Sequence, residues 1–236
     1  MRAKAAASAL PKVNAFISYS HDDRKYAGQT KAVLATFGID AFLAHEDIHV
    51  SHDWRDRILQ ELKCCKLFVA LLSKKFLASK WAPQEVGFIV SREEVKIMPI
   101  SLDDTVACGF IGNIQSKRIV EEEVTSDFLL PGLVHNFPRS VFPHLIKGVA
   151  DARTFRTGEA RLERLLPYFA NLTPAEAKLL AEHCVKNSQV WDAKDCRDNY
   201  LPEFLRIQGK QMGVQNRRAL RYQIAKHDWY RAEEHE

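Results

Sequence analysis

Trp81 and Glu85 lie four residues apart in the segment Ser79-Lys80-Trp81-Ala82-Pro83-Gln84-Glu85. If Trp81 opens a helix, the two share one face, so an indole and a carboxylate can line a single cleft. An aromatic wall beside a carboxylate suits a flat cationic ring. A lone carboxylate also suffices to stabilise a cation-like sugar carbon when the leaving group is already good and needs no strong acid. The same two residues can equally be read as a core aromatic and a solvated helix carboxylate. A second polar group, Tyr19-Ser20-His21-Asp22-Asp23, offers either contacts to ribose or phosphate at a cleft rim or a plain helix cap.

The elements that must hold these residues follow from hydrophobic patterning. Asn14 to Ser18 (NAFIS) reads as a buried strand running into the polar group, and Arg24 to Phe37 carries apolar residues at helical spacing with Gly38 at the C-cap position. A strand at Ile39 to Leu43 and a polar loop from Ala44 to Asp53 come next, then a helix from Trp54 to Lys63 whose Trp54 is expected to pack under that loop. Leu67 to Leu72 is wholly apolar and ends in Ser73, as a strand of a parallel sheet covered on both faces requires. A helix at Ala82 to Ser91 and a strand at Val95 to Ile100 continue the alternation. Strands and helices that alternate with such crossovers predict an α/β fold: an open, flavodoxin-like parallel sheet with helices on both faces. In such sheets ligands bind beyond the carboxyl ends of the strands, where the loops after Ser18, Leu43 and Ser73 meet.

Farther on, Gly109-Phe110-Ile111-Gly112 reads as a turn with an apolar plug, Lys117 to Val120 as a last strand and Pro143 to Ala152 as a helix. Polarity rises and periodicity lapses over Arg153 to Gly158, the reading of a linker, so the expected division is residues 12–152 and 153–236. The second part reads as a small, mostly α module. Thr173-Pro174-Ala175-Glu176 is a capping box that starts a helix to about Asn187, with further helices at Ala193 to Gln208 and Asn216 to Trp229.

Composition narrows the function classes. With 46% hydrophobic and 27% charged residues in 236, the chain can bury a core. No apolar run approaches the ~20 residues of a membrane helix, and the opening MRAKAAASALPK is too short in apolar residues for a signal peptide, so a cytoplasmic protein is expected. Five scattered cysteines without CxxC spacing fit neither a disulfide framework nor a zinc site. His45, His49 and His52 cluster in sequence without carboxylates arranged for a metal, and none is expected. A net charge of +4 does not demand a nucleic-acid partner, and the basic run from Arg206 to Arg231 reads more simply as a solvated helix face. There is no Walker-type or G-x-G-x-x-G loop.

Three blocks in order carry a family resemblance. Phe16-Ile17-Ser18-Tyr19-Ser20-His21-Asp22-Asp23 resembles the opening strand and loop of bacterial TIR domains. Ala41 to Ile48 with the following Trp54 resembles the second strand, the BB loop and its helix. Leu71-Leu72-Ser73 with Trp81 to Glu85 resembles the third strand and the W-x-x-x-E segment. The blocks span roughly residues 13 to 120, and their joint order is more specific than any one motif. One departure is Ser51, where many relatives carry Gly in the BB loop.

The resemblance implies an enzyme that cleaves the nicotinamide–ribose bond of NAD⁺, as an NAD⁺ nucleosidase or ADP-ribosyl cyclase. NAD⁺ would then be substrate, with no cofactor, in antiphage signalling similar to Thoeris systems. It makes Glu85 the catalytic residue and assigns contacts to the dinucleotide to Phe16, Ser18, Tyr19, Asp47, Ser73 and Trp81. It also implies self-association through TIR surfaces and a trigger protein. The alternative is a non-catalytic adaptor, with the C-terminal module as sensor or docking element.

Overall fold

The computed structural model describes residues 12–43, 54–119 and 123–233, and divides into two compact units between Ser140 and Val141. In the first, β1 (Asn14–Ser18), β2 (Asp40–Leu43), β3 (Leu67–Leu72), β4 (Lys96–Ser101) and β5 (Lys117–Arg118) form one parallel sheet in the order β2-β1-β3-β4-β5. This is the flavodoxin-like order, with its reversal between β1 and β3. Every residue of β3 is buried, as its apolar run requires.

Side-chain alternation divides the core. Phe16, Phe68, Ala70 and Leu72 point to one face and pack with Ile58 and Leu62 of α2 (Trp54–Cys64). Val86 and Ile89 of the helix that carries Glu85 join the same cluster. Phe16 sits between Phe42 and Phe68, its ring stacked on Phe68 at 5.8 Å and 9°. The helix after β1, α1 (Arg24–Thr36), packs on β2 and buries Ala27, Thr30 and Leu34, and Gly38 follows at φ 70°, the left-handed turn a helix C-terminus favours.

Four features depart from the expected elements. Ser73 caps a four-residue helix, α3 (Lys74–Leu77), and α5 (Ser126–Asn136) is a helix where the sequence predicts none. Its Thr125 cap is an ordinary signal, but Pro131 in its interior disguises it. The expected last strand shortens to Lys117–Arg118, and residues 120–122 lie outside the described set.

The fourth departure concerns the linker. Residues 153–158 are the start of a capped helix: after α6 (Pro138–Ala150), Thr154 and Thr157 form a reciprocal capping box on α7 (Phe155–Leu165). Asn187 Nδ2 donates to the carbonyls of Val149, Ala150 and Ala152, at 3.3, 3.1 and 3.0 Å. Arg161 donates to that of Gly148. These bonds satisfy the open carbonyls at the end of α6 from within the second unit, which is why the division precedes α6's body rather than following it. A polar, aperiodic stretch is what a capping box looks like when its side chains serve the backbone.

Within the second unit, α8 (Pro174–Lys186) starts at the expected Thr173/Glu176 box. After the short α9 (Ser188–Trp191), the stretch expected as one helix opens with a π-helical turn at Cys196–Tyr200 before α10 (Leu201–Gln208). The buried Gln208 donates to the Phe169 carbonyl at 2.6 Å, and α11 (Val214–Glu233) packs on α8. None of the five cysteines is paired, and burial pushes the Cys65 thiol up to about 11 and Cys196 to about 12, so both are unreactive at neutral pH.

A Cβ on Gly158 of α7 would clash with the Gln189 carbonyl oxygen, whereas one on Gly28 of α1 meets nothing within 4 Å. Gly158→Ala is therefore expected to lose about 1–3 kcal/mol by overpacking. Gly28→Ala should gain roughly 0.5–1 kcal/mol from helix propensity. Urea denaturation of the two variants measures both, and equal effects would contradict the close α7–α9 approach.

Candidate functional site

The helix that positions Glu85 is α4 (Ala82–Val90). Ser79 Oγ accepts from the amides of Trp81 and Ala82 at 3.2 and 3.3 Å, taking up donors that the helix start leaves open. The Trp81 carbonyl then accepts from Gln84 and Glu85, at 2.9 and 3.0 Å. With Pro83 in the first turn, the register is set: Trp81, Glu85 and Phe88 form a stripe at helical spacing.

On the facing helix α2, Trp54, Ile58 and Leu62 make a matching stripe, and between the two lies a cavity of about 350 Å³. Its polar lining comes from Arg55, Gln84 and Glu85. Trp54 and Trp81 meet edge to face at its mouth, ring centroids 4.5 Å apart and planes at 84°, a favourable aromatic geometry. Both remain well exposed, at 39% and 41%, while Glu85 is only 7% exposed. That inverts the reading of a core aromatic and a solvated carboxylate: the indole faces solvent and the carboxylate is buried.

Glu85 is not left without a partner. Ser18, the last residue of β1 and fully buried, donates its Oγ to Glu85 Oε2. Burial raises the Glu85 carboxyl above the ordinary glutamate value of 4.5, and the Ser18 hydrogen bond opposes that rise. The first turn of a helix also favours a negative charge.

One strand away, Ser73 Oγ donates to Asp23 Oδ2 at 2.6 Å and accepts from the Phe76 amide at 3.0 Å. Burial raises Asp23, with Asp103 adding to the rise and Ser73 working against it. Asp103 is held low by hydrogen bonds from the Lys74 amide and Thr105.

The expected site residues therefore separate. Trp81 and Glu85 line the cavity, and Ser18 reaches it through Glu85. Phe16 lies in the sheet core with no exposed surface, Tyr19 is buried behind the strand end, and Ser73 is engaged by Asp23 and the α3 cap, so none of these three forms the cavity wall. Asp47 and His45 lie outside the described residues. Trp54, read from the sequence as packing under the loop, forms the opposite wall; the spacing Trp54-Ile58-Leu62 in a helix is the signal that points to it. Among the described residues no cluster of His, Cys, Asp or Glu is arranged to hold a metal, and no helix is long and apolar enough to cross a membrane.

Residues 15–127 match the family model of the TIR domain. A solved structure, the TIR domain of the Toll-related receptor TRR-2 from Hydra magnipapillata, matches at 16% identity with a TM-score of 0.42, over 54% of this chain and 96% of that one. No curated protein matches.

Because folding raises the Glu85 pKa, the folded state holds that proton more tightly than the unfolded chain does. Its stabilising contribution is complete below the unfolded value and is lost as pH rises through the folded one. Glu85→Gln, which keeps an acceptor for Ser18 without the charge, is thus expected to melt above the wild type at pH 8, the gap closing towards pH 4. Thermal melts across that range check it, and a variant that melts lower at pH 8 would contradict a buried charge at this position.

Proposed function

We propose, for a chain whose residues 15–127 carry a TIR domain, that the cleft between α2 and α4 cleaves the bond between nicotinamide and ribose in NAD⁺, with Glu85 as the catalytic residue. The observation that carries this reading is a buried carboxylate opening into a cavity that shares its mouth with two exposed indoles.

A pyridinium ring is flat and cationic, and the faces of Trp54 and Trp81 suit it. As the C1′–N1 bond breaks, its electron pair leaves with nicotinamide and neutralises the ring, while positive charge develops at the ribose carbon. A Glu85 carboxylate in a poorly hydrated cleft stabilises that charge more strongly than it would in water. Water captures the ribosyl cation to give ADP-ribose and a released proton, or an atom of the same molecule captures it to give a cyclic product. Arg55 on the cavity wall suits the diphosphate. The resemblance of the sequence blocks to antiphage TIR proteins supports, in this reading, a role in defence signalling started by a trigger protein, with the C-terminal helices as the sensing element.

A second reading, an adaptor acting by association, is favoured by a separate feature. Leu77, Val106 and Phe110 are 45%, 70% and 81% exposed, and Leu77 and Phe110 border an apolar cavity of about 250 Å³ on the other side of α4. Patches of this kind mark contact surfaces. An adaptor would associate regardless of Glu85 and lose association in Phe110→Ser.

Nicotinamide release from NAD⁺ by concentrated protein, with and without phage-infected lysate, separates the readings. The wild type is expected to release nicotinamide and Glu85→Gln to lose at least about 10²-fold, the scale of removing one charge-stabilising group. Activity should fall with decreasing pH as Glu85 protonates, at a pH above the ordinary glutamate value of 4.5. Equal release by Glu85→Gln, or none by the folded wild type under either condition, would overturn the enzyme reading.

A further inference from the structure

We propose that Ser18 is a positioning residue for the reaction assigned to Glu85, fixing the carboxylate in the cleft through the hydroxyl it donates to Oε2. This role rests on the enzyme reading for its function, and on the Ser18–Glu85 hydrogen bond for its geometry.

The two side chains differ in freedom. Ser18 closes β1, is paired to β3 opposite Ala70 and has no exposed surface, so its single χ angle is held by the sheet. Glu85 has three χ angles and sits in the first turn of a helix whose mouth opens to solvent. Without an anchor its carboxylate would gain hydration by turning outward, away from the cavity. The Ser18 hydroxyl compensates the buried oxygen and holds the other end of the carboxyl group at the wall.

Stability does not call for this pair. Phe16, Phe68, Ala70 and Leu72 complete an apolar face around Ser18, and replacing both partners of a buried polar pair with apolar groups is commonly neutral or stabilising. The arrangement costs folding energy and yields a charged oxygen held at one place. That is what a site acting by charge stabilisation needs, since misplacement by about 1 Å is enough to forfeit ~10²-fold in rate.

Among the described residues, no neighbouring charge substitutes for the hydroxyl. Burial raises the Glu85 carboxyl and the Ser18 hydrogen bond opposes the rise. Its own helix, Ala82–Val90, and strand β3 carry no other titratable side chain. Arg55 comes from α2 on the cavity wall, Tyr19 follows Ser18 in the chain, and Asp23 is engaged by Ser73.

The test compares Ser18→Ala with the wild type in the full chain. The Glu85 carboxyl carbon is followed by NMR through a pH titration, its resonance assigned by its loss in Glu85→Gln. Removing the hydroxyl removes the contribution that opposes burial, so the midpoint is expected to move to higher pH. In parallel, kcat for nicotinamide release should fall roughly tenfold with KM unchanged, a loss of orientation rather than of binding. The acidic limb of the rate profile should move in the same direction as the NMR midpoint. Ser18→Thr, which keeps the hydroxyl, should restore all three. If Ser18→Ala does not fold, Ser18→Cys, close in shape and a weaker donor, is expected to show the same shifts at smaller size.

An unchanged midpoint and acidic limb in a folded Ser18→Ala, with only its melting temperature altered, would overturn the proposal. If the wild type releases no nicotinamide, the enzyme reading falls separately, and the carboxyl titration still decides whether Ser18 governs Glu85.

Discussion

A parallel strand buried on both faces can hold polar side chains only where it ends. In β1 and β3 that constraint is nearly absolute: Phe16, Ile17 and all of Leu67–Leu72 are buried and apolar, and towards the carboxyl ends the first polar side chains are Ser18 and Ser73. Because strand order reverses between these two strands, the crossover helices leave in opposite directions from the two serine ends. The rest of the first unit follows. Asp23 and the α3 cap gather at Ser73, Glu85 comes down on Ser18, and α2 stands opposite α4 to close the cleft.

The electrostatics of the cleft arise from competition rather than from a single charge pair. Burial disfavours the ionised Glu85, while the Ser18 hydroxyl and the start of α4 favour it. The result is a carboxyl that titrates above its usual value, with no charge among the described residues shifting it. A cationic ligand would offset the burial cost of the ionised carboxylate, which connects the fold to the chemistry proposed for it.

Much of this is readable from the residues. The apolar run Leu67–Leu72, the alternation of strands and helices and the capping box at Thr173 have local physical signatures and appear where those signatures lie. Trp81 and Glu85 share one cleft because helical spacing and a proline in the first turn leave little freedom. What escapes depends on long-range geometry. Nothing local distinguishes Phe16 as a core ring from Phe16 as a ligand contact, and the Ser18–Glu85 bond joins residues 67 apart in sequence. The helix start at Phe155 escapes for another reason: its box uses Thr157 in place of the usual Glu or Gln, so its polarity resembles a linker.

A crystal structure of Glu85→Gln grown with NAD⁺ tests the central claim most directly, since binding is retained where turnover is removed. The nicotinamide ring is expected against Trp54 and Trp81, with the ribose C1′ beside the introduced side-chain amide and the diphosphate towards Arg55. NAD⁺ bound elsewhere on the sheet edge, with the cleft between α2 and α4 closed to it, would contradict catalysis by Glu85 in this cleft.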